Sequence, residues 1–100
     1  MGDRRGEAYS LGGLGNAYHS LKDYPRAREC YTQVRQLASD IGDRLGEGRA
    51  LWGLAICFEA DKDMPQAIAH AEAALEIFTA IESPSAQSLR DLLAKWRGRK

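Results

Sequence analysis

The sequence predicts an all-α fold, an α-solenoid of two helix hairpins and a C-terminal capping helix in a single domain. The first observation is an internal repeat: the stretch from Gly2, GDRRGEAYSLGGLGNAYHSLKDYPRA, returns from Gly42 as GDRLGEGRALWGLAICFEADKDMPQA, a period of forty residues. The second is that apolar residues recur every three or four positions, and no segment alternates with a period of two. Self-similarity at this period is typical of stacked helical units.

The repeat divides the 100-residue chain into a first hairpin, a second hairpin, a capping helix and a short basic tail. The predicted units, in that order, are residues 2–41, 42–81, 82–97 and 98–100. The predicted helices are residues 5–21, 24–40, 44–60, 64–81 and 84–97.

The first helix is predicted from four apolar residues at helical spacing, Leu11, Leu14, Tyr18 and Leu21. It includes the glycine-rich stretch LGGLGNAY. A phosphate-binding loop must follow a strand, and no strand is predicted, so these glycines are interpreted as helix residues. Ala55 replaces Gly15 in the second repeat, so we expect a small residue here to let two helix backbones cross closely. Because a helical glycine costs about 1 kcal/mol relative to alanine, we expect the first helix to be the softest.

The second, third and fourth helices are delimited by turn signals. The sequences KDYP and KDMP place Pro25 and Pro65 in the first turn of the helix that follows, where the missing N–H costs little. Between the repeats, Gly42 is predicted to end one helix and Asp43 to cap the next. The fourth helix is predicted from the helical spacing of Ala67, Ala71, Ala74 and Ile77.

The fifth helix is predicted to cap the stack. Ser83 is expected to cap it with Pro84 in its first turn. An apolar stripe can cover the exposed face of the last repeat: Leu89, Leu92, Leu93 and Trp96. A terminal unit also needs a polar outer face. The residues expected to form it are Arg90, Asp91, Lys95 and Arg97.

In this register the sequence resembles the tetratricopeptide repeat family, whose pattern carries L-G, an aromatic, an alanine and a second aromatic across a helix pair. The first repeat supplies Leu14, Gly15, Tyr18, Ala27 and Tyr31. The second matches less well, with Leu54, Ala55, Phe58, Ala67, Ala71 and Ala74. The longer period with G-D-R-x-G-E resembles the forty-residue variant of Pins-type polarity adaptors, kinesin light chains and bacterial regulatory proteins. Residues 81–98 resemble the end of such bacterial arrays.

The resemblance implies a protein-interaction module in which the first helices of successive hairpins line a concave groove. It assigns six residues to a groove that binds a peptide segment of a partner: Tyr9, Asn16, His19, Arg49, Trp52 and Ile56. An array usually needs at least three repeats, and this chain has two and a cap. The alternatives are therefore a structural unit that self-assembles as a homo-oligomer, or the C-terminal piece of a longer regulatory array. In either case the first helix is expected to have an open face.

Three of these groove residues have a second interpretation. Asn16 stands where family members often hold a ligand backbone with an amide, but it could equally be a solvated helix residue. Arg49 could pair with a carboxylate of a partner or with a neighbouring glutamate. Trp52 could form an exposed apolar patch with Ile56 or could pack between helices. The cations of a carboxylate clamp are missing, because Gly12 and Trp52 stand in their expected places.

Composition and motifs argue against other classes. The 14 basic and 14 acidic side chains cancel, so no overall charge favours nucleic acid or membranes, and the tail from Lys95 is the only basic cluster. No apolar run approaches the roughly 18 residues of a membrane span. Cys30 and Cys57 are expected to be packing residues, with a redox pair or metal site as the alternative. No catalytic, metal or cofactor constellation is recognisable, so we expect a cytoplasmic non-enzyme without cofactor or small-molecule substrate.

Overall fold

The computed structural model describes residues 3–98. These residues form five α-helices, and no strand occurs among them. Gly2 of the first repeat, and Arg99 and Lys100 of the basic tail, lie outside the described residues. The helices are α1 (Arg4–Ser20), α2 (Tyr24–Ile41), α3 (Arg44–Ala60), α4 (Met64–Ala80) and α5 (Ser85–Arg97). All five predicted helices are present, and no end differs from its predicted position by more than one residue.

Each helix packs against the next one in the chain, from α1 on α2 to α4 on α5. Because turns of only a few residues join them, neighbouring helices run antiparallel. The result is a stack with principal extents of 49 × 31 × 18 Å. The all-α solenoid predicted from the repeat is confirmed.

An aspartate begins each of the first four helices, and these aspartates recur every twenty residues. Each side chain accepts a hydrogen bond from the backbone N–H three residues later, at 3.0 to 3.4 Å. The four are Asp3, Asp23, Asp43 and Asp63. A carboxylate at this position satisfies one of the free N–H groups of the first turn. The twenty-residue interval is therefore one helix plus one turn.

The start of α5 departs from the prediction. Ser83 continues the twenty-residue series, but its hydroxyl accepts from the N–H of Ser85 at 3.2 Å, and the helix begins at Ser85 with Pro84 as the N-cap residue. The N–H of Ala86 bonds to the carbonyl of Ser83, three residues back. The chain thus enters α5 through a tighter turn of the 3₁₀ type, which delays the helix by one residue.

The buried core is larger at the C-terminal end of the stack. The apolar stripe predicted for α5 lies against α3 and α4, with Leu89, Leu93 and Trp96 buried, and the indole N–H of Trp96 donates to Glu59 at 2.9 Å. In α1, by contrast, Gly15 is the one buried residue. The capping prediction is borne out by this packing, and the first helix has the fewest buried residues of the five.

Gly15 lies close to the ring of Tyr31. The prediction that it lies close to the backbone of a second helix is therefore wrong. A methyl group on Gly15 would lie 2.8 Å from one edge of the Tyr31 ring, and a methyl group on Gly53 would lie 2.8 Å from the other edge. Tyr31 of α2 is therefore held between α1 and α3, and neither glycine can carry a side chain without moving it.

The two hairpins distribute side-chain volume differently. In the first, Gly15 faces the large Tyr31, whereas the equivalent pair in the second is Ala55 and Ala71, both completely buried. Further along, Gly48 faces the ring of Phe78, and the equivalent pair in the first hairpin is two alanines, Ala8 and Ala38. In each case the ring takes the volume that the glycine leaves, as close packing requires.

Candidate functional site

A groove of about 410 Å³ lies between α1 and α3, with α2 beneath it. From α1 it is lined by Arg5, Ala8, Tyr9, Gly12, Gly13 and Asn16. Beneath are Tyr31, Val34 and Ala38 of α2, and the far wall is Asp43, Leu45, Gly46, Arg49 and Ala50. The two walls therefore come from the first helices of the two hairpins.

The groove is open because α1 carries no side chain at its centre. Apart from neighbouring atoms of α1 itself, nothing lies within 4 Å of the place where a side chain of Gly12 or Gly13 would begin. The residue equivalent to Gly12 in the second hairpin is Trp52, which is half-buried and meets Phe78 edge to face with ring centroids 6.1 Å apart. The same position is thus open in α1 and filled in α3.

The structure brings three of the six predicted site residues together in the groove, namely Tyr9, Asn16 and Arg49. The other three do not line it. Trp52 and Ile56 are half-buried against the core formed by α3, α4 and α5, so Trp52 packs between helices rather than forming an exposed patch. His19 is half-buried and contacts the ring of Tyr24 with centroids 5.6 Å apart.

Asn16 is held by a hydrogen bond from below. The hydroxyl of Tyr31 donates to Asn16 Oδ1 at 2.6 Å. Burial raises the pKa of Tyr31 to about 12, so the hydroxyl keeps its proton at physiological pH. Since the carbonyl oxygen of the amide accepts this bond, the two N–H donors of Asn16 remain for a group in the groove.

The charges in the groove are two arginines and one aspartate. Asp43 accepts from the N–H of Gly46 at 3.0 Å and lies 3.8 Å from the guanidinium of Arg5. Arg49 is exposed and forms no ion pair with any of residues 3–98. The interpretation of Arg49 as half of a surface ion pair with a neighbouring glutamate is therefore wrong, since Glu47 lies 3.5 Å from Arg44 instead.

Arg5 and Leu45 also line the groove and were not among the predicted site residues. Arg5 precedes Tyr9 by four residues, and Leu45 precedes Arg49 by four, so each lies one turn away on the same helix face. Helical spacing from Tyr9 and Arg49, once the resemblance had assigned these two residues, could have identified both. Leu45 is 38% exposed, and it adds apolar surface beside Arg49.

The other chemically notable side chains are committed to packing. Cys57 is completely buried, and burial raises its pKa to about 11, so it is a protonated packing residue at neutral pH. Burial also raises the pKa of Cys30. Within residues 3–98 no group of three or more His, Cys, Asp and Glu side chains is placed to hold a metal ion. Over the same residues, no helix combines the length and apolarity needed to cross a membrane.

The basic end of α5 is partly neutralised. The guanidinium of Arg97 forms an ion pair with Glu72 of α4. Together with Lys95 it lies in the last turn of the helix, where positive charge favours the helix dipole. Arg97 therefore helps to hold α5 against α4.

Residues 5–80 match the family model of the tetratricopeptide repeat. No curated protein matches the chain. The match spans both hairpins, including the two walls of the groove, and ends at the last residue of α4. The resemblance to the forty-residue variant stays a prediction.

Proposed function

Because the chain belongs to the tetratricopeptide repeat family, we propose that it is a non-catalytic interaction module whose groove between α1 and α3 binds a peptide segment of a partner protein. Repeats of this family are typically non-catalytic interaction domains. The interaction would then take place on the concave side of α1 and α3.

The observation that carries this proposal is the position of Arg49. An exposed guanidinium without an ion pair among residues 3–98 faces the same groove as the fixed amide of Asn16. Its planar fork matches the two oxygens of a carboxylate. We therefore expect the bound peptide to present an aspartate, a glutamate or a C-terminal carboxylate to Arg49.

Two further contacts define the expected peptide. The amide N–H groups of Asn16 can donate to a backbone carbonyl of the peptide. Apart from neighbouring atoms of α1 itself, no atom lies within 4 Å of the position where a side chain of Gly12 would begin, which leaves room beside Tyr9 and Leu45 for an apolar side chain of the peptide. A peptide with an apolar residue near an acidic one fits both walls.

The test is a selection of short random peptides displayed on phage against the wild-type protein, followed by calorimetry with the selected peptides. A charge-assisted hydrogen bond contributes about 1.5–3 kcal/mol and tenfold in affinity is about 1.4 kcal/mol, so Arg49→Glu is expected to weaken binding at least tenfold. The matched control is Arg35→Glu on α2, which reverses an exposed arginine outside this groove.

Peptides rich in acidic residues that lose affinity with Arg49→Glu and keep it with Arg35→Glu support the proposal. If the selected peptides bind both variants as tightly as the wild type, the groove is not the binding site. Circular dichroism of each variant verifies that the helices are intact.

A further inference from the structure

A second surface lies on the outer face of α1, away from the groove. Four exposed residues follow one another at spacings of four, three and four along this face, and two of them are leucines that are 49% and 76% exposed. They are Ser10, Leu14 and Ala17 of α1 and Leu21, the C-cap residue of that helix, and together they are called the α1 outer stripe. Alternating steps of three and four place all of them in one line along a helix.

The equivalent face of α3 shows what such a stripe contacts. Ala50, Leu54 and Cys57 occupy the positions of Ser10, Leu14 and Ala17, and they are between 0% and 4% exposed. Helix α2 packs on α3, with Ala27 and Tyr31 in one cluster with Leu54 and Cys57. The α1 outer stripe therefore corresponds to this stacking surface, and no helix among residues 3–98 covers it.

The last residue of the stripe strengthens this comparison. The equivalent of Leu21 is Asp61, an exposed residue whose carboxylate lies 2.9 Å from the guanidinium of Arg28. In α1 this polar residue is replaced by a leucine that is 76% exposed. Moreover, the segment between Glu7 and Lys22 contains no acidic residue, lysine or arginine. Covering this face would bury apolar surface without burying a charge.

We propose that the α1 outer stripe pairs with the same stripe of a second copy of this chain, in a two-fold symmetric, antiparallel dimer. In this register Leu14 faces Ala17 of the second copy, and Leu21 faces Ser10. Each leucine thus meets a small residue, so the two helices interdigitate and every contact occurs twice, as a two-fold interface requires. The stripe is complementary to itself in the antiparallel direction that α2 adopts on α3.

The other end of the stack cannot serve as the partner surface. The face of α4 that would receive α1 of a second copy is covered by α5, whose Leu89, Leu93 and Trp96 are at most 3% exposed. Association through α1 therefore closes at two copies. Helix α1 has 17 residues and is about 25 Å long, so the pairing buries less than the roughly 1,200 Å² of a standard interface, and we expect a weak dimer.

The experiment is sedimentation equilibrium of the wild-type protein over a concentration series up to the millimolar range. We expect the mass to rise from 11.1 kDa toward twice that value. Leu14→Lys with Leu21→Lys is expected to raise the dissociation constant at least about tenfold, because an unpaired charge then faces apolar surface. Ile81→Lys is the matched control, since Ile81 is 38% exposed at the end of α4.

A wild-type mass that stays at 11.1 kDa throughout the series overturns the proposal. So does a dimer that the two lysine substitutions leave unchanged. Leu14, Leu21 and Ile81 are all exposed, so the double lysine variant and the Ile81→Lys control are both expected to keep their helices. Circular dichroism verifies this.

The register has its own test. Under mild oxidation, a mixture of Leu14→Cys and Ala17→Cys variants is expected to form a disulfide-linked heterodimer faster than either variant alone forms a homodimer. The native cysteines Cys30 and Cys57 are buried and do not compete. Equal rates in all three samples contradict the antiparallel register.

Discussion

At the scale of single residues, Tyr31 connects the fold to the groove. The edges of its ring rest against Gly15 of α1 and Gly53 of α3, and its hydroxyl fixes the amide of Asn16. One side chain of α2 thus sets the spacing of the two groove walls and orients a polar group between them. Gly15 and Gly53 make room for this ring, which explains a glycine at these two helix positions despite its cost in a helix.

Alanine substitutions at two glycines of α1 test this packing. Gly15→Ala is expected to destabilise the protein by about 1–3 kcal/mol, because the ring that it meets is blocked on its other edge by Gly53. Gly12→Ala, with open space around it, is expected to stabilise by up to about 1 kcal/mol. Urea denaturation measures both. If both substitutions changed the free energy of unfolding by similar amounts in the same direction, the contact between Gly15 and the Tyr31 ring would be contradicted.

The buried thiol of Cys57 predicts a loss of stability in alkali. Its pKa is 9.0 in the unfolded chain and about 11 in the folded protein, chiefly because it is buried. Between these values the folded protein keeps a proton that the unfolded chain has lost, so the free energy of unfolding falls as pH rises, by about 3 kcal/mol in all. Tyr31, with a pKa raised to about 12, extends the decline.

Urea denaturation at several pH values from 8 to 11 measures this decline. At neutral pH Cys57→Ala lowers the stability by leaving a cavity, and it is expected to make the dependence on pH shallower. A wild-type free energy of unfolding that stays constant between pH 9 and pH 11 is the contrary result.

At the scale of elements, the junctions between helices repeat one geometry. The residues at positions 22, 42, 62 and 82 all have a positive φ, between 55° and 72°, and the N–H of the following residue bonds back across the last turn at 2.8 to 2.9 Å. This is the Schellman motif that ends many helices. Only at Gly42 does the chain use the residue that adopts this conformation without strain.

Lys62→Gly should therefore stabilise the turn between α3 and α4. A residue with a side chain is destabilised by about 1–2 kcal/mol in this conformation. Glycine also raises the conformational entropy of the unfolded chain, which offsets part of that difference. The free energy of unfolding is therefore expected to rise by about 0.5–1 kcal/mol. Lys62→Ala is the control and should change little. The thermal midpoint is the measurement, and a lower midpoint for the glycine variant would show that the lysine side chain stabilises the turn.

At the scale of the whole molecule, stability is distributed unequally along the stack. The larger buried cluster joins α3, α4 and α5, whereas α1 buries only Gly15 and contains four glycines. The free energy of local unfolding is lower for a helix that buries less apolar surface. We therefore expect the N-terminal wall of the groove to open more easily than the wall formed by α3.

Amide hydrogen exchange at low protein concentration tests this gradient. Amides in α1 are expected to exchange at least about tenfold faster than those in the centre of α4, since a difference of about 1.4 kcal/mol in opening energy suffices. Equal protection in the two helices would mean that the stack opens only as one unit.

The sequence predicted the helices well because caps, turn residues and apolar spacing act locally. Asp43 and Gly42 mark their junction by chemistry that is independent of tertiary packing. The groove was predicted only in part. The opening at Gly12 and the burial of Trp52 depend on which neighbouring helix fills the space, and the partners of Asn16 and Arg49 depend on side chains distant in the sequence. Arg5 and Leu45 could have been predicted from helical spacing, but they were missed.

The measurement that tests the groove most directly is a two-dimensional ¹H–¹⁵N NMR titration of the labelled protein with a peptide selected for binding. The largest shifts are expected in two separate segments, around Tyr9 to Asn16 in α1 and around Leu45 to Arg49 in α3. Shifts confined to the opposite surface, around Arg28, Phe58 and His70, would contradict the account, because those residues line a separate depression between α2 and α4.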